Sequence, residues 1–434
     1  MTKIKSLTAL LTTIIMLFFT DNAISCSMYK ITANGKTMLG SNYDAYYLTT
    51  RIWFENGTKP GDYGVVFTGG REDGENKIAP QSGMNEFGLA FTQAAVHSKA
   101  RTATNKKTIV NTTNYLKDIL HKCKNIEEVK DYINQYDHSN FSAVFLYTDK
   151  SGKYLIVEPD TMIIGNDPKY VLSNFCPSTT TDLNEVKIVR YRNGVEFLKN
   201  KIDTTIEFCT ALSDTMHVCR KKIGDGTLLT SIWDVNAGVT YLYFYHDYKH
   251  LVQFNLKDEL AKGDHALEIP TLFPPNEEYE KLINFKIPQN SSAIQLFFIF
   301  CSGLFLFSSF FFLISYFRNR KPATEVKKHF NKIKLLLSLL SVILLYYVFV
   351  LATNELIFYF PAPYKDATFS LLNIAAYIPF LMLLLIVPLF GINLRLFKEN
   401  VWHNFSKWLF AINNSIYLAL LILFAYWGLF NIFN

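Results

Sequence analysis

The chain has 434 residues, 50% of them hydrophobic, and most of its 37 phenylalanines fall in the last third. That length fits one domain of roughly 250 residues plus a second, apolar region. The net charge of +6 does not point to nucleic acid, because the basic excess clusters in short segments beside apolar runs, where it reads as membrane topology.

The first expected element is an export signal over residues 1–25. Lys3 and Lys5 open it, a largely apolar run follows from Leu7 to Phe19, and Ala23-Ile24-Ser25 supplies a small-x-small cleavage site. Cleavage there leaves Cys26 as the new N-terminus, with a thiol and an α-amine on one residue. An α-amine has a pKa of about 8 and can take a thiol proton near neutrality, which a backbone amide cannot do. The competing reading of Ala-Ile-Ser-Cys is a lipoprotein cysteine. Against it, Ala23 stands where a lipobox carries Leu, and lipidation would acylate the amine.

Residues 26–32 and 36–41 read as two strands around Ala-Asn-Gly-Lys, an Asn-Gly hairpin signal. Further strands are expected at 64–68, 88–96, 141–148, 153–158, 227–234 and 239–245. One broad apolar face, from Tyr115 through Ile119, Cys123 and Val129 to Ile133, predicts a helix over 114–136. Helices are also expected at 183–199 and 203–216. Strands, then helices, then strands make an α+β domain of mostly antiparallel sheet over 26–269. Residues 270–290, with four prolines, read as a linker. Cys123, Cys176, Cys209 and Cys219 are either paired, most simply Cys209 with Cys219, or buried thiols. His97, His217 and His246 read as surface or core-edge residues. No Cys-x-x-Cys spacing and no glycine-rich phosphate loop occurs, and no histidine spacing is read as a metal site, so neither a metal nor a cofactor is expected.

Four spans close the chain, at about 292–317, 335–353, 371–392 and 409–431, each near the ~20 residues that cross a bilayer. Arg318, Arg320, Lys321, Lys327, Lys328, Lys332 and Lys334 crowd the first loop, and Arg395, Lys398 and Lys407 the third. The positive-inside rule puts those loops in the cytoplasm and residues 26–290 outside, in agreement with an export signal. No ionisable residue sits at mid-depth, so the bundle reads as an anchor; Pro379, Pro388, Asn413 and Asn414 read as packing features.

Cys26-Ser-Met-Tyr-Lys30, followed by Gly40-Ser-Asn-Tyr-Asp44, resembles the opening of the N-terminal-nucleophile hydrolases. The resemblance is to the branch of bile-salt hydrolases, penicillin V acylases and acyltransferases of the isopenicillin N type. Gly83-Met-Asn-Glu-Phe-Gly-Leu-Ala90 resembles the family's Asn-Glu-x-Gly-Leu-Ala segment, and Leu172-Ser-Asn174 its Leu-Thr-Asn. The late hairpin from Thr227 to Asp247 is similar as well. The resemblance spans 26–265 and implies an αββα sandwich. It also implies roles: Cys26 as nucleophile, its α-amine as base, Asp44 beside that amine, and Asn174 as donor to the tetrahedral oxyanion. Arg190 or Arg192 matches the arginine that orients the nucleophile. Ser41 stands where the family carries an arginine, and Ala95 where it carries a second oxyanion asparagine; Gln93, on the same strand face, is a candidate substrate-binding substitute.

The expectation is an exported, membrane-tethered cysteine hydrolase of linear amides acting on a small N-acyl compound, with no nucleic-acid partner. Acyltransfer through the same thioester, or a ligand-binding sensor without catalysis, are the alternatives.

Overall fold

The computed structural model describes residues 26–45, 50–70, 79–96, 105–139, 141–219, 226–319, 325–359 and 371–430. The expected export signal and His97 lie outside them. The chain divides into two compact units, the first ending at Ile283 and the second beginning at Asn284.

The first unit opens with strands β1 (Cys26–Ala33), β2 (Lys36–Ala45), β3 (Arg51–Glu55), β4 (Val65–Gly69), β5 (Ser82–Asn85) and β6 (Ala90–Ala95). A two-strand ribbon, β7 (Lys107–Thr108) with β8 (Tyr136–Asp137), brackets helices α1 (Thr112–Lys122) and α2 (Ile126–Ile133). Next come β9 (Ala143–Thr148), β10 (Tyr154–Val157), β11 (Met162–Gly165) and β12 (Lys169–Ser173). Helices α3 (Val189–Phe197) and α4 (Ile206–Met216) precede β13 (Gly226–Asp234), β14 (Val239–Phe244), β15 (Val252–Asn255) and β16 (His265–Glu268). The strands form two antiparallel sheets, ordered β12-β1-β2-β13-β14-β15 and β11-β10-β9-β6-β5-β4-β3-β16.

The first hairpin is built as its turn residues dictate. Asn34 and Gly35 both take left-handed φ, 52° and 73°, the pair that a two-residue turn between right-twisted strands requires. That turn fixes the register in which Cys26 lies opposite Tyr43. The sheets are cross-linked by hydroxyls: Thr92 Oγ1 donates to Ser41 Oγ at 2.7 Å, and Ser82 and Ser231 share a bond of 3.1 Å. On the eight-stranded sheet, Phe67, Phe91, Tyr147 and Leu155 are buried with Leu116, Ile119 and Val129 of α1 and α2. On the six-stranded sheet, Tyr29, Ile31 and Ile232 are buried with Leu212 and Met216 of α4.

The single helix expected over 114–136 is two. Asn125 breaks it, because its side chain accepts from Glu128 N and so caps a new helix start. Likewise Thr205 caps α4 through Phe208 N. Cys123 and Cys209 are buried free thiols, so the neighbouring pair Cys209–Cys219 is not joined. Within 270–290, Glu277–Asn284 forms helix α5, whose Tyr279 lies edge-on to Phe244 at 4.7 Å.

The second unit contains α6 (Ser292–Arg318), α7 (Glu325–Thr353), α8 (Ile378–Glu399) and α9 (Asn404–Tyr426). Together they provide four helices long and apolar enough to cross a membrane. The helices outrun the apolar spans at their basic ends. There Lys334 Nζ lies 5.3 Å above the Trp402 ring, and Lys407 donates to Asn400 Oδ1 at 2.6 Å. Deeper in, Asn413 Nδ2 donates to Ser308 Oγ at 2.9 Å and Ser338 Oγ to the Ser309 carbonyl at 2.9 Å. Such bonds hold helices together where lipid offers no hydrophobic drive.

Candidate active site

Cys26 begins β1, pairing with β2 on one side, while its successor Ser27 pairs with Ser173 of β12 on the other. It is 1% exposed. Its two main-chain polar atoms are held by side chains. Cys26 N donates to Asn174 Oδ1 at 2.8 Å. The Cys26 carbonyl accepts from Ser173 Oγ at 2.7 Å and from Arg190 Nε at 3.2 Å. Arg190 also donates to Asn174 Oδ1 at 2.5 Å. Asn174 Nδ2 in turn donates to the Ala95 carbonyl at 2.7 Å. This orientation of the carboxamide satisfies two donors at its oxygen and one acceptor at its nitrogen.

Helix geometry separates Arg190 from Arg192. Two residues on a helix point about 200° apart, so only one can face β1. Arg190 does, and Arg192 is exposed. Asp44 follows Tyr43, the partner of Cys26, and is 1% exposed. Its carboxylate accepts from Thr227 Oγ1 at 2.5 Å, and Thr227 Oγ1 accepts from Val218 N at 2.9 Å.

A residue that sequence reasoning passed over stands at the sulfur. Gln81 Nε2 lies 3.7 Å from Cys26 Sγ and donates to the Gln93 carbonyl at 2.6 Å. The Gln93 carboxamide is turned to the Pro80 carbonyl, at 2.7 Å. A lone Gln between Pro80 and Ser82 carries no pattern; only the fold brings it to β1. Ser173 was equally silent, as the Ser before Asn174.

Cys123 and Cys209 are poor candidates for a nucleophile. Burial pushes both Cys123 and Cys209 up to about 12, which leaves almost no thiolate near neutrality. Farther along β1, the ammonium of Lys30 is 0% exposed. It donates to the Asp167 carbonyl at 2.7 Å and lies 5.6 Å above the Tyr154 ring. Burial pulls it down to about 8 against the pull of Asp167 and Asp149.

Neither a protein-family model nor a curated protein matches the chain. Among solved structures, a variant of the conjugated bile acid hydrolase from Clostridium perfringens is similar at 18% identity and a TM-score of 0.44, over 58% of this chain and 97% of its own. A second variant of that protein gives 18% identity and a TM-score of 0.42, with 58% and 97% coverage.

Proposed function

We propose that this protein is an exported cysteine amidohydrolase that cleaves linear carbon–nitrogen amide bonds of N-acyl compounds, with Cys26 as its N-terminal nucleophile. The observation that carries the reading is the hold on Cys26 N by Asn174 Oδ1 at 2.8 Å. After cleavage behind Ser25, that nitrogen is an amine. One N–H goes to Asn174, and the lone pair is then available to the thiol proton. The sulfur attacks the acyl carbonyl carbon, the C–N bond breaks as the amine protonates the departing nitrogen, and water hydrolyses the thioester.

In this reading Arg190 and Ser173 keep β1 in place through the Cys26 carbonyl. Asn174, beside Cys26 N, and Gln81, whose Nε2 lies 3.7 Å from the sulfur, are the side-chain amides assigned to the oxyanion, a task for neutral, preorganised donors. Asp44 fixes the strand beside them through Thr227. The two sheets and their flanking helices are taken as an αββα sandwich. The four apolar helices are the tether, with their basic ends in the cytoplasm and the first unit outside. A substrate delivered at a bilayer surface suits a lipidic N-acyl amide.

The test is the N-terminus of the purified protein, read by mass spectrometry, together with turnover of a chromogenic N-acyl amide. The expected chain starts at Cys26 with an unmodified amine, and Cys26→Ala lowers turnover by more than about 10⁴-fold, of the order found when an activated nucleophile is removed. A different start, a lipid on Cys26, or full activity in the alanine variant overturns the reading.

A further inference from the structure

A second cluster of reactive side chains lies at the other end of the Thr227 hydrogen-bond chain. Cys219, His246 and Glu278 come from three separate pieces of chain: the segment after α4, the residues after β14, and α5. Their ligand-type atoms, one from each, lie within 4.8 Å of one another. His246 Nε2 is 2.8 Å from Glu278 Oε2, and Cys219 Sγ is 4.0 Å from the same oxygen.

The imidazole is the informative member. His246 Nδ1 faces the Thr227 carbonyl at 3.3 Å, while Nε2 faces a carboxylate. Both neighbours are acceptors, and a neutral imidazole has only one N–H. A cation beside Nε2 and Glu278 Oε2 would give the ring nitrogen and the carboxylate one shared partner. The bond from Nδ1 to a backbone carbonyl is the support that metal-ligating histidines use to fix the tautomer and aim the other nitrogen. The ring is held further: its side chain is 10% exposed, and it stacks on His217 with centroids 5.7 Å apart. Tyr245 and His246 both take left-handed φ, 51° and 46°, which turns the imidazole out of the strand toward α5.

We infer that Cys219, His246 and Glu278 bind a Zn²⁺ ion, with solvent in the fourth position. One thiolate, one imidazole and one carboxylate form a mixed donor set suited to zinc, whereas calcium and magnesium prefer all-oxygen sites. Closing the three atoms onto bonds of about 2.0 to 2.3 Å needs only side-chain movement by Cys219 and Glu278, both of which are exposed. The thiol gives its proton to solvent as the Zn–S bond forms. The ion would clamp α5 and the segment after α4 to the end of β14, behind Thr227 and Asp44. It is independent of the amide chemistry, since neither Cys26 nor Asn174 takes part.

The experiment uses the full-length protein in detergent with its thiols reduced, titrated with Co²⁺ as a spectroscopic substitute. The expected result is a near-ultraviolet sulfur-to-cobalt charge-transfer band that saturates at one ion per chain and is displaced by Zn²⁺. Cys219→Ser removes that band, and Glu278→Gln weakens Co²⁺ binding by about tenfold or more. Cys26→Ser leaves the band in place, which separates this site from the nucleophile. No band in the parent protein, or a band that survives Cys219→Ser, overturns the inference.

Discussion

The two helix pairs of the first unit hold their sheets by different means. Helices α1 and α2 lie over a broad apolar cluster in which Ile119, Leu120, Ile126, Val129, Phe67 and Phe91 are all fully buried. At the end of α1, Asn85 Nδ2 reaches the carbonyls of Leu120 and Cys123 at 2.8 and 2.7 Å, and Lys117 in mid-helix pairs with Glu55 of β3 at 2.5 Å. Helix α4, by contrast, is tied along its length to β1 and β2. Ser27 Oγ donates to the Met216 carbonyl at 3.2 Å, Tyr29 Oη to Cys209 at 2.8 Å, and Asn42 Nδ2 to Ser213 at 2.8 Å. Hydrophobic burial is strong but has no direction; a hydrogen bond adds about 1 kcal/mol yet fixes position. The strand that carries Cys26 is held by both means, and the remote sheet chiefly by the first.

That contrast breaks if a large change in the remote cluster disturbs the chemistry. Phe91→Ala removes a fully buried ring stacked on Tyr147 at 5.4 Å. The expected loss is about 3–5 kcal/mol of unfolding free energy, with turnover per folded molecule unchanged. Denaturant titration and active-site-normalised rates measure the two sides. Asn174→Ala should do the reverse, costing about 10²–10³-fold in turnover with little loss of stability. Asn174→Asp sharpens it. An aspartate keeps the acceptor for Cys26 N and Arg190, so recovered turnover assigns Asn174 to orientation, and continued loss assigns it to the oxyanion.

Tyr29→Phe deletes the hydroxyl that meets Cys209 and Ser213 and should cost about 1 kcal/mol. Its effect on turnover, a few-fold by the same bond energy, should exceed that of an equally destabilising change under α1. Rates at saturating substrate decide this. The last effect is a slope. The Lys30 ammonium is held at about 8 when folded, against about 10.4 when unfolded. Below pH 8 both states are protonated, and the folded one bears the full cost of the buried charge. Between those values the unfolded state binds more protons, so stability rises with pH. Urea midpoints across that window should climb in the parent protein, and Lys30→Met should flatten the climb.

The local parts of this fold were legible because their causes are local. An Asn-Gly turn needs left-handed φ at both positions, and 26–32 with 36–41 became β1 and β2. Thr227–Asp234 and Val239–Phe244 were legible from their β-branched and aromatic runs, and the four long apolar helices from length alone. The break at Asn125 was not, because Asn125 acts as a cap only once the chain turns to present its side chain; the break before Thr205 was legible, as separate helices at 183–199 and 203–216. The pairing of β1 with β12, nearly 150 residues away in sequence, has no local signature. Nor does the arrival of Gln81 at the sulfur. Arg190 and Arg192 are equivalent in sequence and differ only in which side of α3 meets β1. The Cys219–His246–Glu278 cluster escaped spacing rules because its members come from three separate segments.

The burial of Cys26 sets an order of events in the life of the chain. Under the proposed function, Cys26 at 1% exposure, with its nitrogen bonded to Asn174 and β12 alongside, is out of a peptidase's reach once the sheet has closed. In that reading, removal of the leader expected over residues 1–25 comes while β1 is still an unpaired end. Asn174 arrives about 150 residues later in synthesis, so processing would run ahead of closure. By the same reading, a chain that folds first is expected to keep its leader, with the α-amine of Cys26 never freed.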